Sequence, residues 1–238
     1  MTEDNIHKRI LKLTLPAIIS NISVPLLGLV DSTIVGHMGS SVFIGTVALG
    51  TTIFNMMYWL MGFLRMGTTG LVAQAHGQED QERMKTVLRK ALQAGCIISA
   101  AMVILQWPLF EIATRIMHPD ADTLPQLHIY FSICIWGAPA VLGQYCFNGW
   151  FIGAQDTRSP MFVALFQNLV NILLSLFLVY GMGWKMEGVA TGTLVAQWSG
   201  LALCLIFMRH HRANRPTTAA RESTPVRWRE FLAVNRDL

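Results

Sequence analysis

The chain has 238 residues, 53% hydrophobic and 13% charged, with 18 Lys+Arg against 14 Asp+Glu. A soluble domain carries about 25% charged residues, so this composition, with its mean hydropathy of +0.43, excludes an ordinary water-soluble domain and describes a polytopic membrane protein. The net charge of +4 does not point to nucleic acid, because the basic residues collect between apolar runs in a way that a bilayer explains better.

A span needs about 20 apolar residues to cross about 30 Å of hydrocarbon. Six runs qualify: residues 13–35, 42–64, 91–109, 127–152, 161–180 and 188–208. The first follows a polar segment, residues 1–12, and is long enough to span, so it reads as a retained anchor rather than a cleaved leader. It contains Asp31, the one acidic residue clearly inside a long apolar stretch. A carboxylate at membrane depth costs about 2.5–3.5 kcal/mol on insertion scales, so a chain that carries one usually uses it. Asp31 lies about 10 Å from the midpoint of its span at about 1.5 Å per residue, in the outer half. An interfacial carboxylate reaching outside water is the alternative reading. A partly desolvated site would suit reversible protonation. Pro16 and Pro25 each remove a backbone donor from this span, which lets it bend and frees carbonyls.

The second run is hard to end, because apolar character continues past Arg65 to Ala75; Arg65 reads as extending to a membrane boundary. The fourth run holds Gln144 and Asn148, four apart, beyond Pro139. The fifth carries Gln167, Asn168, Asn171 and Ser175, of which Gln167, Asn171 and Ser175 share one helical face. Phe162, Leu165, Val170, Leu173 and Leu176 form the opposite face. A polar stripe of this kind faces protein or a water-filled cavity. Both readings stay open, interhelical hydrogen bonding at about 0.6 kcal/mol per contact or the lining of a cavity. The sixth run offers Thr191, Thr193 and Gln197, with Gly188, Ala190, Gly192, Ala196 and Gly200 as small residues that permit close helix packing.

The loops orient the bundle. Fifteen of the 18 basic residues fall before the first run, between the second and third, between the fourth and fifth, or after the sixth. Arg115 and Lys185 lie on the other side, and Arg65 sits near a boundary. The positive-inside rule therefore predicts cytoplasmic termini for this chain. The domain expectation is a membrane lobe over residues 1–208. Residues 209–238 are expected to be a cytoplasmic linker and the start of a missing second lobe, since residues 226–238 turn amphipathic as the approach to the first span does. A cytoplasmic surface helix is the alternative for that segment.

All four cysteines fall in apolar runs, so neither a disulfide framework nor a metal site is expected. The histidines lie at or beyond span ends, and G-x-S-x-G and H-E-x-x-H are absent. An enzyme is therefore not expected, and no cofactor is implied.

Several ordered features resemble the multidrug and toxic compound extrusion (MATE) family. Residues 11–38, with Pro16 and Leu29-Val30-Asp31-Ser32-Thr33 fifteen residues on, resemble its first helix. Ala73-Gln74-Ala75-His76-Gly77-Gln78-Glu79-Asp80 resembles its loop between helices two and three. Gly153-Ala154-Gln155-Asp156-Thr157-Arg158-Ser159-Pro160 resembles that between helices four and five. Phe63-Leu64-Arg65-Met66-Gly67-Thr68-Thr69-Gly70 and the run from Asn21 to Gly28 resemble the DinF-like branch.

The resemblance spans residues 6–208 or so. It implies an all-α integral membrane fold: a six-transmembrane-helix bundle forming one lobe of a two-lobed, twelve-helix transporter. The implied activity is export of amphipathic or cationic, drug-like small molecules in exchange for H+ or Na+ across the cell inner membrane. The implied partners are those substrates, the lipid bilayer and a C-terminal lobe.

By the same resemblance Asp31 matches a helix-one carboxylate implicated in cation coupling, Asn171 a helix-five asparagine, and Thr193 a helix-six threonine. Ser175, Asn168 and Gln144 join them as candidate cavity residues, with Pro16 and Pro25 as the helix hinge. Where many relatives carry a second aspartate, this chain has Ser175, which favours H+ over Na+ and leaves Asp31 to carry the coupling. The alternatives are a lipid-linked precursor flippase, or a regulatory or assembly membrane subunit should the chain naturally end at Leu238.

Overall fold

In the computed structural model, which describes residues 32–213 together with Thr14, Ile18 and Ile22, every regular element is helical. Residues 32–36 form the described part of α1. A turn through Gly39 (φ 80°) follows. Ser40 then caps α2 (Ser41–Leu60), its Oγ accepting from the Val42 N–H at 3.3 Å. Met61 (φ −88°, ψ 3°) breaks the helix for one residue before α3 (Gly62–Gly77) continues. Residues 41–77 make one 37-residue path, about 55 Å at 1.5 Å per residue, so the second span runs well beyond the predicted end at 64. Arg65 is exposed on α3, one turn past the break.

Asp80 caps α4 (Gln81–Ile104), its Oδ1 accepting from the Arg83 N–H at 2.9 Å. This helix begins ten residues before the predicted span, because Gln81 to Lys90 are good helix formers whose charge hides them from a hydropathy window. Pro108 has no N–H for the Ile104 carbonyl and its ring crowds that group, so α4 stops there and α5 (Gln106–Met117) sets out anew. The same chemistry acts in α6 (Leu124–Cys134) and α7 (Ala138–Gly153). Pro139 cannot bond the Ile135 carbonyl, and the Ala138 N–H does so instead, through a tight turn at Ile135–Gly137. α8 (Arg158–Leu176) loosens into a π turn at Phe177–Gly181, and α9 (Met186–Ala213) returns.

Five stretches are long and apolar enough to cross a membrane: Ser41–Gly77, Gln81–Ile104, Leu124–Gly153, Arg158–Gly181 and Met186–His211. These correspond to the second to sixth predicted spans; the first, residues 13–35, lies mostly outside the described residues.

Glycines set the closest approaches. Gly149 and Gly153, four apart on α7, face α3. A Cβ at Gly149 would lie 2.7 Å from the Arg65 carbonyl oxygen, and one at Gly153 2.7 Å from that of Thr69. This small-xxx-small pairing seats α3 on α7. On the far side α8 packs along α9, and α2 meets α6 through Phe54, whose ring stacks on Phe131 at 5.2 Å.

Two turns on one end of the bundle share a plan. After α3, Glu79 takes φ 58° and the Asp80 N–H donates to the Ala75 carbonyl at 2.9 Å. After α7, Gln155 takes φ 63° and the Asp156 N–H donates to the Phe151 carbonyl at 2.8 Å. Asp156 Oδ1 then accepts from the N–H groups of Arg158 and Ser159 at 3.1 and 3.2 Å. Each aspartate thus ends one helix and starts the next.

Candidate functional site

The polar stripe of α8 is buried against α9. Asn171, 2% exposed, donates from Nδ2 to Thr193 Oγ1 at 3.1 Å. Thr193 Oγ1 in turn donates to the Val189 carbonyl one turn back, at 3.0 Å. One turn further along α8, Ser175 is fully buried opposite Gly192, where a Cβ would fall 2.5 Å from its Oγ. Asn171 Oδ1 and Ser175 Oγ have no hydrogen-bond partner among the described residues. Burying a polar atom unpaired costs about 1–3 kcal/mol, so these two oxygens in an apolar bundle are poised to accept a donor or a cation.

One turn toward the other end, Gln144 of α7 and Gln167 of α8 converge on Gly200 of α9. A Cβ at Gly200 would lie 2.9 Å from Gln144 Nε2 and would collide with Gln167 Oε1. Gln144 Nε2 donates to the Gln197 carbonyl at 2.7 Å. The Gln197 side chain folds over Gly137, and Trp198 Nε1 donates to the Trp136 carbonyl at 3.2 Å. Pro139 cannot supply that carbonyl with a tight-turn donor, so α9 helps hold the break between α6 and α7.

Of the sequence-predicted residues, the structure brings Asn171, Thr193 and Ser175 together, with Gln144 in the adjoining layer. Asn168 is half-buried beside Gln167 and is engaged in an interaction of its own. Asp31, Pro16 and Pro25 lie outside the described residues. From the π turn after α8, Tyr180 OH reaches the segment just after Asp31, 3.5 Å from the Ile34 carbonyl oxygen. The cluster of Asn171, Thr193, Ser175, Gln144, Gln167 and Gln197 carries no charge: it can solvate a cation or bond a ligand, but it cannot titrate. Among the described residues no group of His, Cys, Asp or Glu could hold a metal. Sequence reading missed the partner register, which the glycines of α9 set. It also missed Gly149 and Gly153, although their four-residue spacing is a visible signal.

The architecture is that of a multi-pass, all-helical membrane protein with a neutral polar seam between α7, α8 and α9. The MatE family model matches residues 16–177, and the chain belongs to the MatE family. It is 35% identical over 233 residues to DNA damage-inducible protein F of Escherichia coli (strain K12), covering 97% of this chain and 51% of that protein. It is 28% identical over 194 residues to the multidrug resistance protein PmpM of Pseudomonas aeruginosa, covering 79% and 40%. The fold matches a solved multidrug resistance MATE family transporter in its outward-facing conformation, with a TM-score of 0.83 at 22% identity, covering 96% of this chain and 50% of that one. The chain spans about half the length, or less, of the curated relatives it matches. The last two of these relatives are described as a multidrug resistance protein and a transporter, not as enzymes.

Proposed function

We propose that this chain is the N-terminal lobe of a cation-coupled antiporter that exports amphipathic or cationic compounds, with H+ rather than Na+ as the coupling ion. The observation that carries the reading is the Asn171–Thr193 pair with its open Asn171 Oδ1 and Ser175 Oγ, buried between two membrane spans. The Tyr180 contact supports it further, because it joins the π turn after α8 to the segment just after Asp31. In this reading Asp31 carries the proton. The neutral seam receives the substrate or the displaced cation, and Pro16 and Pro25 let the first helix bend between two states. Coupling requires that proton and drug bind the two states with different affinity. A second lobe, supported by the half-length match to relatives, would complete the cavity. The loop charges support cytoplasmic ends for this chain, and the likeness to proteins of Escherichia coli and Pseudomonas aeruginosa supports an inner-membrane location.

The experiment is substrate-driven proton exchange in vesicles carrying the full-length protein. Asp31→Asn is expected to abolish it, and Asn171→Leu to weaken substrate binding about tenfold while the protein stays folded, the scale of about 1.4 kcal/mol. Unchanged exchange by Asp31→Asn at normal expression would sink the coupling role.

A further inference from the structure

The two long faces of α4 meet different surroundings. Gly95 looks toward α7, where a Cβ would lie 3.4 Å from Cys146 Sγ, and Met84, Leu88, Ala91 and Ser99 are buried on the same side. The other face carries Arg89, Gln93, Ile97, Ala100 and Ile104, all exposed, with Ile97 and Ile104 at 67% and 76%. Steps of three and four residues hold these five in one stripe along the helix. That stripe is turned away from α7, and so from the polar seam that α7 forms with α8 and α9.

The stripe changes character at one end. The apolar run opens at Ala91, directly after Lys90, so Arg89 stands at the edge of the hydrocarbon core. Gln93 lies about 6 Å further in, and Ile104 about 22 Å, at 1.5 Å per residue. One turn outward from Arg89, Lys85 is paired with Glu82 at 2.6 Å, which leaves the charge of Arg89 uncompensated on this face. Among the described residues Arg89 has no ion-pair or hydrogen-bond partner. Its planar guanidinium matches the geometry of a phosphate.

We propose that Arg89 seats the headgroup of an anionic phospholipid, whose acyl chains lie along Gln93, Ile97 and Ala100. Charge selects this occupant. A second lobe or a second copy packed here would leave a guanidinium at the rim of an apolar contact, whereas the headgroup layer supplies an anion at that depth. In the orientation predicted from the loop charges, the seat lies in the cytoplasmic leaflet, the one whose anionic lipids attract basic residues beside a span. A lipid held there would fix the depth of α4 from outside the bundle.

The test uses the full-length protein in vesicles of equal parts phosphatidylglycerol and phosphatidylethanolamine, with p-benzoylphenylalanine introduced singly at Gln93 or at Ile104. After illumination, mass spectrometry is expected to find phosphatidylglycerol adducts about fivefold over phosphatidylethanolamine adducts at Gln93, the equivalent of about 1 kcal/mol for one basic residue at an anionic surface. At Ile104, in the other half of the membrane, the two lipids are expected in equal amounts. Arg89→Gln should remove the preference at Gln93 while the total yield of lipid adducts stays the same. Equal adducts at Gln93 with Arg89 in place would overturn the proposal. So would a preference that survives Arg89→Gln, or one of the same size at Ile104. Adducts to protein instead of lipid at Gln93, from a second lobe or a second copy, would overturn it as well. Each of these outcomes reads the same whichever way the protein is oriented in the vesicle.

Discussion

Asn171 and Thr193 show what one hydrogen bond between spans can and cannot do. Such contacts average about 0.6 kcal/mol and reach about 1.7 kcal/mol, too little to hold two helices together but enough to set their register. A double-mutant cycle with Asn171→Leu and Thr193→Val is expected to return a coupling energy in that range, read from reversible unfolding in detergent; zero coupling would deny the bond. Ser175→Ala should leave stability unchanged or raise it slightly, since it removes a buried hydroxyl that has no partner among the described residues. Both residues were visible in the sequence, because four-residue spacing places Gln167, Asn171 and Ser175 on one face. Thr193 joined them only through the family resemblance, and the contact itself was not legible. Which residue of α9 meets Asn171 depends on how deeply α9 beds into α8, and that depth is set by Gly192 and Gly200 in contact with Ser175, Gln144 and Gln167.

At the scale of elements, glycine pairs and prolines shape the bundle. Gly149→Ala or Gly153→Ala would push a methyl group against α3 backbone only 2.7 Å away. Each is expected to cost about 1–3 kcal/mol, the range for overpacking a tight interface, measured as lost thermal stability in detergent. A variant with unaltered stability would mean that α3 can slide, contrary to the packing described. The breaks differ in legibility. Pro139 and Pro108 announce theirs, because a missing N–H and a crowded carbonyl follow from the residue type alone. Met61 announces nothing, and Gly45 and Gly50 sit inside α2 without breaking it, so a hydropathy reading ends the second span by polarity, short of where the helix runs. α5 was cut by the sequence reading, whose third run ends at 109. It is too short and too charged to register as a span, and its attachment through Phe110 depends on α6.

For the whole molecule, the basic residues set the expected orientation. Cysteine substituted for Arg158 should react with an impermeant maleimide only from the cytoplasmic face, and cysteine at Lys185 only from the opposite face. The reverse pattern would invert the topology. The fold class and the order of spans were readable because bilayer thickness forces one solution on each long apolar run. The relative placement of those spans rests on glycine contacts that no single segment displays. The two aspartate-capped turns add a last consequence. Met61 precedes Asp80 by nineteen residues, and Gly137, at the end of its own break, precedes Asp156 by nineteen. The bundle thus repeats one hairpin plan: a broken descending helix, a capped turn and an ascending helix. Aligned by those aspartates, the first copy carries Ala91, Gly95 and Ser99 where the second carries Gln167, Asn171 and Ser175. Only one member of the pair has been furnished with amides. The other keeps the hydroxyl, as Ser99, but carries only alanine and glycine at the two amide stations, so the two hairpins share a backbone plan and differ in what they place between their neighbours.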